Sequence, residues 1–325
     1  MTPDLGPLPA PAMTRISGAT VLPMHSATDP ACGVIDAHGM PVAASRTRLS
    51  HNRITPDPAP EAAIAHLPGR WLFAGVGRHH FGHFLMEATP RLWALDHLTG
   101  APDGILLIPM AGRDIAAVLR RRLAPLLDGL SHGLTVHLVE TPLRVDEVIV
   151  PTQGFGHLDW SHGTPEARRY MRRHVRAMAP AQGAEKLYLS RRRLKNPAQQ
   201  VPHEAQIERW VAQAGYEIFY PERHSVPEQI ARYRAARVIL GPDGSAFHLA
   251  ACAMLRGARV GLIQRRTRQP VFDAIARQIT SFAGADLWTS AAMSHLSATD
   301  PEARTDSMPP ELQHVRAALQ AADFL

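Results

Sequence analysis

The chain predicts an α/β protein built from two Rossmann-like domains facing a cleft, and three observations carry that expectation. Its 325 residues are long for a single hydrophobic core. From Trp71 onward, strand-like apolar runs alternate with helix-like segments, the rhythm of parallel sheets with crossover helices. In the second half this rhythm gives five strands separated by four helices, a doubly wound pattern. The expected domains are an N-terminal α/β domain over 1–180 with an irregular opening, and a C-terminal Rossmann-like domain over 181–325. The last helix is expected to fold back on the first domain.

Taken in order, residues 1–60 are rich in Pro, Gly, Ala and Thr, with short apolar runs at Ala19–Leu22 and Gly33–Ile35. They read as short strands and loops, the first dozen residues loose. Strands are expected at Leu72–Val76, Gly104–Ile108, Thr135–Val139 and Glu147–Val150. Helices are expected at His79–Leu98 and Arg113–Leu127. A loop rich in glycine, aromatics and histidine, Thr152–Gly163, suits the wall of a cleft or a plain surface equally well. Thr164-Pro165-Glu166 is a helix start, a capping Thr with Pro at the first position. That helix carries Arg168, Arg169, Arg172, Arg173 and Arg176 around more than half its circumference, which describes a solvated helix. The second half follows with strands at Lys186–Ser190, Glu217–Tyr220, Arg237–Leu240, Arg259–Ile263 and Asp286–Trp288. Between them lie helices at Pro202–Ala214, Pro227–Ala236, Ala246–Leu255 and Phe272–Phe282, and a final helix covers Pro310–Ala322.

Composition narrows the function classes. Hydrophobic content of 45% is that of a globular protein, and no apolar run approaches the roughly 18–20 residues that span a bilayer. The opening residues lack a secretory pattern, so the expected location is the cytoplasm. Two distant cysteines, Cys32 and Cys252, give neither a metal-binding spacing nor a disulfide framework. A formal charge of +6 comes almost wholly from arginine, because Lys186 and Lys195 are the only lysines. Such a surface attracts phosphates, nucleic acid or an anionic membrane face. No G-x-x-x-x-G-K-[ST], G-x-S-x-G or H-E-x-x-H segment is present, nor a G-x-G-x-x-G between a strand and a helix. An Asp-x-Asp metal-holding pattern is also missing.

Three segments carry chemistry. His79, His83 and Glu87 are spaced i, i+4, i+8 and share one helical face, open to packing, to zinc binding or to proton transfer. Ser190-Arg191-Arg192-Arg193 follows a strand, where guanidinium forks match phosphate oxygens; a solvated basic turn is the competing reading. Gly241-Pro242-Asp243-Gly244-Ser245-Ala246-Phe247-His248 links a strand to a helix start that can face an anion.

These segments, with their neighbours, resemble glycosyltransferase family 61. Gly82-His83-Phe84-Leu85-Met86-Glu87-Ala88-Thr89-Pro90-Arg91 resembles the family's Gly-His-Phe/Trp-Leu-x-Asp/Glu segment leading into Pro-Arg. Tyr188-Leu189-Ser190-Arg191-Arg192 is similar to its Tyr-x-Ser-Arg-Arg. Pro221-Glu222, Ser225 and Glu228-Gln229-Ile230 resemble its Pro-Glu and Ser-x-x-Glu-Gln stretch. Ile239–His248 resembles its Gly-Pro-His-Gly turn, with Asp243 standing where many members have His.

The resemblance implies a GT-B-like, metal-independent, inverting transferase acting on a nucleotide-sugar, with a UDP-linked donor expected and no cofactor beyond that co-substrate. The acceptor it implies is a glycan or lipid-linked glycan of surface polysaccharide biosynthesis. Peripheral contact with the inner membrane face is a secondary expectation, and nucleic acid is not expected as a partner. Glu87 and His83 are the expected catalytic residues. Arg91, Arg191, Arg192, Glu228, Gly244, Ser245 and His248 are the expected substrate-binding residues. A polyanion- or nucleic-acid-binding module without catalysis and a zinc enzyme on His79, His83 and Glu87 are the alternatives.

Overall fold

The structure is a computed structural model that describes residues 6–50, 53–265, 268–290 and 310–325. Residues 1–5, part of the opening stretch expected to be loose, lie outside the described residues. The chain divides into two compact units, Met1–Ala177 and Met178–Leu325.

The first unit is organised on β6 (Ala65–Gly77), a thirteen-residue strand longer than the expected Leu72–Val76. On one side it pairs in parallel with β7 (Gly104–Pro109), which pairs in parallel with β8 (Thr135–Leu138). On the other side it pairs in parallel with β9 (Leu143–Pro151). The outer edge of β9 takes β1 (Met13–Ser17) and β2 (Thr20–Leu22) antiparallel, and β3 (Gly33–Ile35) continues beyond β2. The first sheet is therefore mixed rather than wholly parallel. Its opening strands are joined by short links, and a parallel neighbour needs a crossover of a dozen residues or more. One face buries Trp71, Phe73, Val76, Leu106, Ile108, Val148 and Val150 together. A two-stranded ribbon, β4 (Arg48–Leu49) with β5 (Arg53–Ile54), lies in the same unit.

Two expected helices are interrupted. In place of His79–Leu98 stands α1 (Phe81–Ala88), followed by a 3-10 turn at Leu92–His97. Pro90 has no N–H to donate to the Met86 carbonyl, so the helical ladder stops there and Gln153 Nε2 takes that carbonyl at 3.2 Å instead. The Thr89 hydroxyl donates to the Leu85 carbonyl at 2.8 Å and closes the helix. In place of Arg113–Leu127 stand α2 (Ile115–Val118), a π turn at Leu119–Leu123 and α3 (Ala124–Leu130), the last entered through Pro125. The arginine-rich helix is α4 (Pro165–Ala177); Arg169 and Arg173 are exposed, but Arg172 is buried beside Tyr170, Met171 and Val175.

The second unit holds a five-stranded, wholly parallel sheet in the order β11-β10-β12-β13-β14. The strands are β10 (Lys186–Leu189), β11 (Glu217–Phe219), β12 (Val238–Pro242), β13 (Arg259–Ile263) and β14 (Asp286–Thr289). Helices α5 (Glu204–Gln213), α6 (Val226–Ala235), α7 (Ala246–Ala253) and α8 (Gln269–Ala283) connect them in turn. All five strands point the same way, so their carboxyl ends share one edge. The strand order reverses between β10 and β12, where open α/β sheets leave a crevice.

The final helix, α9 (Pro310–Ala321), was expected to pack back on the first domain. It instead contributes Leu312, Val315 and Leu319 to a core with Tyr188, Ile207, Trp210 and Leu240 of this second unit. Among the described residues, no helix is long and apolar enough to cross a membrane.

Candidate active site

In the first unit, β6 runs straight into α1, and His83 and Glu87 lie one turn apart on that helix. Glu87 has no exposed surface, although it is an acid on a short helix. Its Oε1 gathers three contacts within hydrogen-bond reach: His157 Nε2 at 2.8 Å, His83 Nδ1 at 3.1 Å and the Ser50 backbone N–H at 3.2 Å. Arg78 Nη1 stands 3.6 Å from the same oxygen. The other oxygen, Oε2, is buried and accepts no hydrogen bond among the described residues. Burial alone would raise the Glu87 pKa. The hydrogen bonds from His157 and His83 and the charge of Arg78 outweigh it and hold the group down at about 2. Glu87 is thus a fixed carboxylate, and its partners come from three stretches of chain: Ser50, the Arg78–His83 junction into α1, and His157.

His157, fixed on the loop after β9, is pushed below the ordinary histidine range by burial, against the pull of Glu87. That loop is tied to α1 from two sides. The Gly154 N–H donates to the Pro90 carbonyl at 2.8 Å, and Gln153 Nε2 donates to the Met86 carbonyl at 3.2 Å. Gln153 Oε1 also accepts from the Arg48 N–H at 2.8 Å, which draws β4, and with it Ser50, to the same place. A Cβ on Gly154 would lie 2.7 Å from the Ala167 Cβ and 2.9 Å from Trp93, so only glycine allows this approach.

His83 Nδ1 has two claimants, Arg78 Nη1 at 2.8 Å and Glu87 Oε1 at 3.1 Å. Accepting from Arg78 leaves the imidazole proton on Nε2. Donating to Glu87 leaves Nε2 with a free lone pair, the state that a base requires. Arg78 itself is anchored by the Ser50 hydroxyl at 2.9 Å and by Met110 Sδ. By donor type His83, Glu87 and His157 could hold a metal. The Arg78 guanidinium, however, lies against two of those three groups, and its positive charge opposes a cation there. His79, part of the expected zinc trio, is exposed and is not in this group.

Arg91 differs from its expected role. Its side chain is fully buried, and Gly75, with φ +115°, makes room for it. Nε donates to the Pro151 carbonyl at 3.0 Å, Nη1 to the Thr47 hydroxyl at 3.2 Å, and Nη2 to the carbonyls of Ala44 at 3.1 Å and Arg46 at 2.6 Å. It is a strut among three chain segments, without a surface for substrate.

In the second unit the parallel register sets Tyr188 beside Leu240, so the segments following β10 and β12 emerge side by side. Arg191 and Gly244 meet there: a side chain at Gly244 would collide with the Arg191 guanidinium. Ser245, half-buried, begins the turn into α7 beside them. Asp243 is fully buried, its Oδ1 accepting from the Arg265 N–H at 2.8 Å, so its charge is turned inward toward the end of β13.

The other expected binding residues are engaged elsewhere. Arg192 Nε lies 2.9 Å from Glu208 Oε2, an ion pair by distance that falls outside hydrogen-bond alignment. Glu228 forms a capping box with Ser225 at the start of α6, its carboxylate receiving both the Ser225 N–H and hydroxyl at 2.7 Å. His248 Nδ1 is bonded to Gln278 Oε1 of α8 and ties two helices together.

Sequence reasoning missed Ser50 and the role of His157, because each reaches Glu87 from a distant segment, and it missed Arg78 because that residue precedes α1 and lies outside the helical spacing. The glycine-and-histidine loop at 152–163 was the one signal that could have led to His157. No curated protein matches the chain closely enough to count as a relative. A family model described as Glycosyltransferase 61 matches residues 81–260, more than half of the chain, opening at α1 and closing within β13. With the carboxylate–imidazole cluster on α1 and the arginine–glycine edge both inside that span, the chain belongs to glycosyltransferase family 61 and is a glycosyltransferase.

Proposed function

We propose that the protein transfers a sugar from a nucleotide-sugar, a UDP-linked one first among candidates, to a glycan acceptor with inversion at the anomeric carbon. The observation that carries the assignment of roles is the fully buried Glu87 carboxylate, held by His83, His157, Ser50 and Arg78. A carboxylate so buried and so acidic is a poor proton acceptor, so Glu87 acts as the orienting group and His83 as the base. With Nδ1–H held on Glu87, Nε2 takes the proton of the acceptor hydroxyl as that oxygen attacks the anomeric carbon. The bond from the anomeric carbon to the departing nucleoside diphosphate breaks in the same displacement. Negative charge then grows on the diphosphate, and Arg191 at the β10–β12 edge supplies the compensating charge.

Two guanidinium groups, Arg78 beside the base and Arg191 at the donor edge, support a reaction without a divalent metal. The acceptor class is a glycan or lipid-linked glycan of surface polysaccharide assembly, the class that the family resemblance implies.

The test begins with a thermal-shift panel of nucleotides and nucleotide-sugars to find a donor, followed by turnover of His83→Ala, Glu87→Gln and the double variant. Each single change should lower kcat by roughly 10²–10⁴. The double variant should lose little more, because the two groups work as one unit. Full turnover in His83→Ala would transfer the base role elsewhere, and additive losses would separate the pair.

A further inference from the structure

The donor edge rests on two acids that the roles assigned above do not use. Glu204 opens α5 and Glu208 follows one turn later on the same face, both buried at 1% and 8% exposure. Glu204 Oε1 accepts the Arg191 backbone N–H at 3.0 Å and the Tyr188 hydroxyl at 3.2 Å. Glu208 Oε1 accepts the Ser190 hydroxyl at 2.7 Å and the Tyr220 hydroxyl at 3.0 Å, and its Oε2 faces Arg192. The Ser190 oxygen in turn accepts the Arg192 N–H at 3.1 Å. The turn after β10 is therefore held, residue by residue, from α5. A further asymmetry separates the two acids: Glu208 has a cationic partner, whereas Glu204 Oε2 is buried and accepts no hydrogen bond among the described residues.

We propose that Glu204 and Glu208 are positioning residues of the donor site, and that Glu204 takes up a proton when the diphosphate binds beside Arg191. The proposal rests on the reading of this edge as the diphosphate site. Glu208 pairs with Arg192, and the Arg191 guanidinium, its Nε donating to the Gln199 carbonyl at 2.9 Å, stands beside Gly244 where the phosphates are placed. Glu204 faces Tyr188 of β10, the Arg191 backbone and charge, and its neighbour Glu208 on α5, which itself holds Tyr220 and Arg192. Burial pushes Glu204 up to about 7, with Glu208 adding to the rise, while the Arg191 N–H, Tyr188 and the Arg191 charge pull it back. It is therefore divided between its two states at neutral pH. An incoming diphosphate adds negative charge nearby and favours the protonated acid, so binding weakens as the pH rises.

The experiment is calorimetric titration of the full chain with uridine diphosphate at pH 6, 7 and 8, in buffers of different ionisation enthalpy. Glu204→Gln is titrated alongside, which subtracts the ligand's own phosphate ionisation. Relative to Glu204→Gln, the wild type should take up a fraction of a proton near pH 7 and lose roughly three- to tenfold in affinity from pH 6 to 8. Identical proton uptake and pH dependence in both proteins would remove the inference. If Glu204→Gln does not fold, Tyr188→Phe serves: losing that hydroxyl should move the affinity midpoint to higher pH, and an unmoved midpoint counts against Glu204. Arg191→Ala separates the underlying reading. Unchanged affinity there removes the diphosphate edge itself, and so does failure of uridine, adenosine, guanosine and cytidine diphosphates alike to bind. Lost affinity in Arg191→Ala without a Glu204 effect removes only the present inference.

Discussion

A guanidinium with no exposed surface and four oxygen acceptors around it is held for architecture, and Arg91 illustrates how the same residue type serves two ends in one chain. Burial pushes its pKa down to about 9, so it remains cationic at neutral pH while dispersing that charge over three backbone carbonyls and the Thr47 hydroxyl. Arg91→Ala would orphan the carbonyls of Pro151, Ala44 and Arg46 and should cost roughly 3–5 kcal/mol in urea unfolding. Calorimetry on the folded variant should find diphosphate affinity unchanged; a selective loss of affinity at wild-type stability would restore Arg91 to the substrate site. Arg91 was placed at the substrate because its Pro-Arg pair resembles the family's motif. Its burial depends on Gly75, sixteen residues earlier on the opposite partner of the packing, and on backbone carbonyls that carry no sequence signal. The i, i+4 pair His83–Glu87 was legible because both residues lie on one helix. His157 was not, because seventy residues separate it from the carboxylate it holds.

At the scale of elements, the order of strands and helices was legible wherever hydrophobic period and turn chemistry agreed. Each β strand of the second unit falls where its apolar run lies, most plainly in β10, β12 and β13, whose largely buried positions write near-continuous runs. The failures share a cause: a helix-like pattern continuing across Pro90 or Pro125 overstates a helix that the backbone has to break. Junction geometry decides the site more than the helices do. At Gly75, a Cβ would lie 2.7 Å from the Glu87 carbonyl and 2.9 Å from Arg91 Nη1, on backbone with φ +115°. Gly75→Ala should therefore push α1 off β6, lowering both the melting temperature and turnover, with hydrogen exchange rising first in α1; a silent substitution would show that the approach tolerates a methyl group. Ser225 offers the contrast. Its hydroxyl caps α6 together with Glu228, so Ser225→Ala should cost about 0.5–2 kcal/mol by urea unfolding and leave diphosphate affinity where it was. A drop in affinity beyond that loss of stability would return the capping segment to the donor site.

Over the whole molecule, the two units carry buried acids that titrate in opposite senses. In the first, Glu87 is held at about 2, below the unfolded value of 4.5, so its stabilising contribution is present above about 4.5 and is lost as pH falls toward 2. Asp36, Asp57, Asp146 and Glu166 of the same unit are also lowered, by hydrogen bonds from backbone N–H groups or from Arg46, His66 and Arg169, and act in the same direction. In the second unit, Glu204 is raised to about 7, so its folded state retains a proton that the unfolded chain gives up. That contribution is complete below about 4.5 and is lost as pH rises through about 7. Amide hydrogen exchange, read separately for the two sheets, should show β6 and β9 losing protection on acidification below about pH 4.5. Protection of β10 and β12 should decline as the pH rises from about 4.5 to about 7. Glu204→Gln should flatten the second trend and leave the first untouched, while Glu87→Gln should soften the first alone. If both sheets lose protection together over one pH range in every variant, the two buried acids do not govern their own units, and a cooperative transition common to the whole chain takes their place.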